Sequence, residues 1–269
     1  MPSLGGSIFA HNAVKFDYCL KEAIASLCYV CDEVVVLDAQ SDDETLDLMH
    51  ACKEQHPNLR VAAGAQWECA QNYERLSILA NQAKQLLNTD WHFMLQADEV
   101  VHEDSRLEIK KAVNIAQKYG YESFQCRRIN LFGDMNHYLR FDLPQDRKPC
   151  SDIVNRLGLK HWNAVGDAES LGVSGDTCCT NRVDGIQIWH YGLVRDSQIM
   201  CDKVISMQSW FHGKGATPDQ RVVECKNTTG KFDWTKFKER SDITRITWNH
   251  PKFSKEWAEA RQKEKIPVE

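Results

Sequence analysis

Between Ser7 and Leu131 short apolar runs alternate with longer segments of helical period, and this alternation leaves few architectures open. Ser7–Ala10, Glu33–Leu37, Leu59–Ala62 and Trp91–Leu95 are short enough for buried strands, and Glu33–Leu37 is β-branched. Between them, Val14–Cys31 carries Phe16, Leu20, Ala23, Ile24, Leu27 and Val30 at helical spacing. Ser41-Asp-Asp-Glu44 has the capping-box pattern and predicts a helix running to about His56. Ala70–Leu87 and Asp104–Tyr119 are predicted helices, and Glu122–Leu131 is predicted to be extended. Strand–helix repetition of this kind predicts an α/β fold with a parallel sheet covered by helices.

In such sheets ligands bind beyond the carboxyl ends of the strands. Three of these ends are polar: Ala10-His11-Asn12, Asp38–Asp43 and Gln96-Ala97-Asp98-Glu99. A parallel sheet would bring them to one rim. Residues 130–181 predict loops and short strands, Ile186–Tyr191 a further strand, and Ser197–His212 a helix.

The 269 residues are 42% apolar, enough for one large domain with a sizeable core. A net charge of -5 does not favour broad, non-specific binding to nucleic acid. No run approaches the roughly 20 apolar residues that cross a membrane, and the N-terminus has no signal-peptide pattern, so a cytoplasmic location is expected. Eleven scattered cysteines then read as buried or free thiols rather than a disulfide framework. Cys28 and Cys31 have zinc-like spacing without a second pair, and Asn227-Thr-Thr229 is a sequon without meaning in the cytosol.

Several residues carry chemistry. Asp98-Glu99 follows directly on a strand; its carboxylates either hold a divalent metal that neutralises a leaving diphosphate or start the next helix. Asp38 closes its strand and can accept hydrogen bonds from a base or ribose, or cap a helix. His190, in Trp189-His190-Tyr191-Gly192, is a metal ligand or a core histidine. Arg195 and Lys203 either bind phosphate oxygens or are solvated helix charges.

Three of these segments, in order, resemble the family 2 glycosyltransferases, which have the GT-A fold. Val34–Thr45 is similar to that family's strand-Asp-x-x-Ser-x-Asp-x-Thr nucleotide segment. Gln96–Glu103 resembles its Asp-x-Asp metal segment, with Gln96 in place of the first acid, and Trp189–Arg195 resembles a His-Tyr-Gly-x-Val-Arg segment of a bacterial and phage branch. The resemblance implies a GT-A domain over 1–212, with a donor half at 1–125, an acceptor half at 126–212 and a C-terminal extension at 213–269 packed on it. It implies transfer of a hexose-type sugar from a nucleotide-sugar, UDP-linked by expectation, with inversion. Ala10, His11, Asn12, Asp38, Gln96, Ala97 and Arg195 would bind the donor nucleotide, and Asp98 and His190 would hold Mn2+ or Mg2+. Asp167 or Glu169 would be the catalytic base, with Asp167 preferred, unless both are merely solvated loop carboxylates.

The acceptor is open between a glycan and a hydroxymethylated pyrimidine base of DNA. Arg127, Arg128, Arg140, Arg147, Lys148, Arg156 and Lys160 outnumber the acids among them and form a modest basic segment that suits a phosphate backbone or a solvated loop. A duplex base would have to be flipped out of its stack. The missing acid at Gln96 also fits a non-catalytic module that binds a nucleotide-sugar or glycan.

Overall fold

The computed structural model describes residues 2–70, 72–139, 152–173, 181–211, 220–227, 231–232 and 243–261. The first half runs β1 (Leu4–Ala10), α1 (Leu20–Val30), β2 (Glu33–Asp38), α2 (Thr45–Gln55), β3 (Leu59–Ala62), α3 (Glu74–Gln85), β4 (Trp91–Met94), β5 (Glu99–Val101) and α4 (Ser105–Tyr119). The second half adds β6 (Ser123–Phe132), β7 (His137–Leu139), β8 (Ile153–Leu159), β9 (Asn163–Val165), β10 (Ser170–Gly172) and β11 (Arg182–Leu193). It continues with α5 (Ser197–Phe211), α6 (Gln220–Asn227), β12 (Ile243–Arg245) and α7 (Lys255–Arg261).

The fold is α/β, as expected. Strands β3, β2, β1 and β4 lie side by side and parallel. Strand β8 then enters antiparallel between β4 and β6, and β11 returns parallel to β6. Short β5 pairs antiparallel with β11, and β7 and β12 extend the β6 edge. Neighbouring residues of a strand face opposite sides of the sheet. Ile8 of β1 therefore joins the core under α1 and α4, while Phe9 packs with Ala80 and Leu171 on the α3 side. Helix α1 earns its place through Leu20, Ala23, Ile24, Leu27 and Val30, all buried on one stripe. Helix α4 stops at Gly120, whose φ of 71° few side chains tolerate.

Local boundaries differ from expectation where side chains serve tertiary contacts. No helix begins at Ser41. Ser41 Oγ accepts the Asn12 amide at 3.0 Å, Thr45 Oγ1 accepts that of Ala13 at 2.7 Å, and Asp43 accepts that of Lys15 at 2.7 Å. The apparent capping box is thus a clamp on residues 12–15, and α2 starts only at Thr45. Asp98-Glu99 does not start a helix either, since Glu99 opens β5.

Among the cysteines, Cys201 and Cys225 form a disulfide, because packing of α5 on α6 brings their Cα atoms to 5.4 Å. That pairing is a departure from the free-thiol expectation, which holds for Cys19, Cys28, Cys31, Cys52, Cys69 and Cys126. Cys150, Cys178 and Cys179 lie outside the described residues. Among the described residues no helix is long and apolar enough to cross a membrane.

At the centre lies a buried ionic network. Glu99, Arg128 and Arg156 are each fully buried. Arg156 Nη2 donates to Glu99 Oε1 at 2.7 Å, Arg128 Nη1 reaches the same oxygen at 3.4 Å, and the Gln96 amide donates to Oε2 at 2.9 Å. Removing one partner of such a group strands buried charge, at a cost of about 3–5 kcal/mol. Glu99→Gln is therefore expected to lower unfolding free energy by roughly that amount in urea titration, whereas a change within about 0.5 kcal/mol would mean that the network carries little stability.

Candidate active site

The three polar strand ends meet at one rim. Ala10 pairs in register with Asp38, the Ala39 amide donates to Ala10 O at 2.9 Å, and the Leu95 amide donates to Ser7 O at 3.1 Å. Beside this rim opens a cavity of about 330 Å3. Of the residues singled out from sequence, Ala10, His11, Gln96, Ala97, Asp98, Asp167, Glu169 and His190 line it. Asn12, Asp38 and Arg195 are not among its lining residues.

Asp98 and His190 are brought together by strand register. Glu99 of β5 faces His190 of β11, and the Tyr191 amide donates to Asp98 O at 2.8 Å. His190 Nε2 lies 3.8 Å from Asp98 Oδ1. The other ring nitrogen, Nδ1, donates to Asn130 Oδ1 at 2.9 Å, so in the neutral ring Nε2 carries a lone pair toward Asp98. Burial pushes the imidazole down to about 4, against the pull of Asp98. Gly192 keeps the gap open: a Cβ there would collide with His190 Nε2 and crowd Asp98 Oδ2.

Asp98 also holds two cations. Lys203 Nζ of α5 donates to Asp98 Oδ2 at 3.2 Å and to Gly192 O at 3.3 Å, and Arg195 Nη2 reaches Asp98 Oδ2 at 3.5 Å. Both cations sit 4.8 Å from the centre of the Tyr18 ring. Burial raises the Asp98 carboxyl, but Lys203, His190 and Arg195 outweigh it and hold the acid well below the usual range. Arg195 is only 3% exposed, so it is not a solvated charge. Its Nε and Nη1 have no hydrogen-bond partner among the described residues, a state that ordinarily costs ~1–3 kcal/mol per group.

Asp98 and His190 are the two side chains here that could hold a divalent cation. Asp98 Oδ1 and His190 Nε2 are separated by less than twice the ~2.1 Å of a typical magnesium–oxygen bond. Among the described residues no group of three or more His, Cys, Asp or Glu side chains could hold a metal. Magnesium is commonly held by one or two side chains plus phosphate oxygens, so two ligands are adequate.

The two further carboxylates on the cavity lining, Asp167 and Glu169, differ. Glu169 is paired to Arg128 Nη2 at 2.6 Å; burial would raise it, but Arg128 outweighs that and lowers it. Asp167, half-buried, is raised by burial and by the nearby Glu169 charge. Asp38 is buried; its Oδ2 accepts the Ser41 amide at 3.3 Å, and its Oδ1 has no partner among the described residues. Asn12 is turned onto the Asp42 amide, whose N–H donates to Asn12 Oδ1 at 2.8 Å.

Other residues at the site carried no local signal. The His11 ring stacks on Trp67 with centroids 4.1 Å apart, and Trp210 meets Trp67 edge-on at 5.3 Å. Arg75 lies over both indoles, at 5.1 and 5.7 Å. Only Gly192, two residues after His190 and near the end of β11, was marked in the sequence by its type. The basic segment dissolves in part: Arg128 and Arg156 are spent inside the Glu99 network, and Lys160 Nζ donates to Leu87 O at 2.6 Å. Arg140, Arg147 and Lys148 lie outside the described residues.

No family model matches the chain, and no curated protein sequence matches it. Solved structures of distant likeness exist. Residues 1–349 of Staphylococcus aureus TarS in complex with UDP are 12% identical over 76% of this chain and 65% of that one, with a TM-score of 0.42. The same fragment with UDP-GlcNAc is 14% identical over 89% and 76%, with a TM-score of 0.42. The mannosyltransferase PcManGT from Pyrobaculum calidifontis, in complex with GDP-Man and Mn2+, is 11% identical over 84% and 69%, with a TM-score of 0.45. The chain thus spans 65% of the length of the first of these.

The tautomer argument is open to a direct check. Nitrogen-15 NMR of His190 should report a neutral ring protonated on Nδ1 at pH 7, titrating near 4. The sign follows from burial, which disfavours the imidazolium, so more acid is needed to form it. Titration at the ordinary value of 6.5 would contradict the buried, cation-flanked geometry.

Proposed function

We propose that the protein is a GT-A-type glycosyltransferase of the family 2 kind, within the bacterial and phage branch. In this reading it moves a hexose-type sugar from a nucleoside-diphosphate donor, UDP-linked, to an acceptor hydroxyl with inversion. The observation that carries the reading is the convergence of three sequence-distant segments, those of Asp38, Asp98 and His190, on one rim beside one cavity. These are the segments whose motifs resemble that family.

The donor is read as held mainly by 1–125 and the acceptor by 126–212, with 213–269 as an extension. Asp38 Oδ1, which has no partner among the described residues, accepts a hydrogen bond from the ribose or base, beside Ala10, His11 and Asn12. Gln96 lacks the charge of a carboxylate, but its amide oxygen can still accept from ribose, and Ala97 lies beside it. Asp98 and His190 would hold a divalent cation, Mn2+ or Mg2+, which when bound supplies charge neutralisation at the diphosphate.

Asp167 takes the proton from the acceptor hydroxyl. The acceptor oxygen bonds to the anomeric carbon as the bond from that carbon to the diphosphate oxygen breaks, and the negative charge leaves with the diphosphate. Asp167 suits this role better than Glu169 because its carboxyl is raised and Glu169 is occupied by Arg128. The acceptor is a glycan or a hydroxymethylated DNA base, and the internal use of Arg128 and Arg156 weakens the case for a duplex backbone.

Purified protein with Mn2+ and a panel of sugar nucleotides should release nucleoside diphosphate, and Asp98→Asn should slow this by about 100-fold or more. If no donor is turned over, the chain is a binding module. A second expectation concerns pH. The base works ionised, so turnover should fall as pH drops through the raised Asp167 value and hold above it. Asp167→Asn should abolish that acidic limb and cost about 100-fold or more; an unchanged profile moves the role elsewhere.

A further inference from the structure

Two parts of the cavity lining are fastened by one stretch near the end of the chain, residues 250–261. Tyr18, His190 and Gly192 line the cavity. Beside each of them in the chain stands a residue that does not line it and that is tied to this stretch instead. Tyr191, between His190 and Gly192, is fully buried. Its hydroxyl lies 2.8 Å from Ser254 Oγ and 3.2 Å from His250 Nδ1, and Trp257 meets its ring edge-on at 5.3 Å. His250 in turn donates from Nε2 to Met135 O at 2.7 Å.

Asp17, beside Tyr18, is held by Arg261. Arg261 Nε donates to Asp17 Oδ2 at 2.8 Å, and its Nη2 is paired with Oδ1. A two-pronged guanidinium–carboxylate pair fixes direction as well as distance. Asp17 has a φ of 51°, a left-handed conformation uncommon outside glycine, and the pair with Arg261 helps to hold it there. Arg261 is itself seated 4.0 Å from the centre of the Trp257 ring and donates from Nη1 to Trp257 O at 3.0 Å. Trp257 thus touches both ties and makes them one unit. The opposite end of the same loop, at Asn12 and Ala13, is clamped by Ser41 and Thr45. A shift of Tyr18 would be felt at Asp98, because Arg195 and Lys203 lie against its ring and both reach that carboxylate.

We propose that residues 250–261 act as a clasp, with Arg261 and Tyr191 as positioning residues that hold Tyr18 and the His190–Gly192 segment in place at the cavity. The proposal rests on the transferase reading only for its effect on turnover; the clasp itself is a property of the fold.

Native-state hydrogen exchange of the full chain tests the clasp without any donor. In wild-type protein the amides of Tyr18, Tyr191 and Ser254, bonded to Ala13 O, Asp98 O and Pro251 O, should be freed in low urea by one shared opening, with opening free energies that coincide. Arg261→Gln and Asp17→Asn should each speed exchange at Tyr18 by about tenfold or more, and the double variant should add little to either, as for partners in one pair. Tyr191→Phe, which keeps the ring and loses the hydroxyl, should do the same at Tyr191. The Val34 amide of β2, bonded to Asn58 O, should change by less than about twofold. Where a donor is turned over, Arg261→Gln should lower kcat by about tenfold or more with the donor KM within about threefold, since a displaced wall costs orientation rather than nucleotide contacts. Separate openings of Tyr18, Tyr191 and Ser254 in wild type would overturn the proposal, and that arm needs no variant to fold. Equal acceleration at Val34 would overturn it as a global loss of stability. Unchanged kcat in Arg261→Gln, measured below its unfolding transition, would reduce the clasp to a structural tie. A shared opening with no donor turned over would sink the transferase reading and leave the clasp; turnover with separate openings would do the reverse.

Discussion

Glu99 is the point from which the site is built. Its carboxylate, closed off from water, is shared by Arg156 of β8 and Arg128 of β6 and accepts the Gln96 amide. A buried charge so surrounded ties three strands and a loop to one another, since shifting any one would leave another ion bare. Arg128 extends the tie to Glu169. The Asp98 turn and the Asp167–Glu169 loop, which both line the cavity, are thereby held by one network. The sheet and its helices supply the mass of the core, but this network sets where those cavity-lining side chains stand.

Strand register supplies the second constraint. Pairing of Glu99 with His190 puts the acid before β5 next to the imidazole of β11, and Gly192 leaves the space between them unfilled. The chain then runs at once into Arg195 and α5, which brings Lys203 back onto Asp98. A single carboxylate so becomes the meeting point of an imidazole with a free lone pair, an ammonium and a guanidinium. Their electrostatics are strong because burial removes the water that would otherwise screen them.

Much of this frame is readable in local pattern. The β-branched run of β2 and the stripe of α1 are recognisable because their periods reflect burial on one face. The polar residues after β1, β2 and β4 were legible as a ligand rim because parallel strands carry their carboxyl ends to the same side. Other features leave no local trace. Strand β8 sits antiparallel within the sheet, yet nothing in Ile153–Leu159 names β4 and β6 as its partners. Ser41 looks like a helix cap and instead accepts the Asn12 amide, while Asp43 accepts both the Lys15 amide and that of Thr45 at the start of α2, because a side chain that can cap a helix can equally bond any nearby amide. Arg128 and Arg156 read as part of a basic segment and are buried ions.

The sequence by itself determined the α/β alternation, the strands and helices of the first half, and the residue types available at the rim. These follow from interactions among neighbours a few positions apart, which periodicity and composition express directly. Only the tertiary structure decided that Asp98 would face His190, Lys203 and Arg195, that Glu169 would be consumed by Arg128 while Asp167 stays unpaired with it, and that Cys201 would meet Cys225. Those outcomes depend on sheet register and on which charges share a dry interior. Both are settled by contacts between segments far apart in the chain, where no local spacing carries the information.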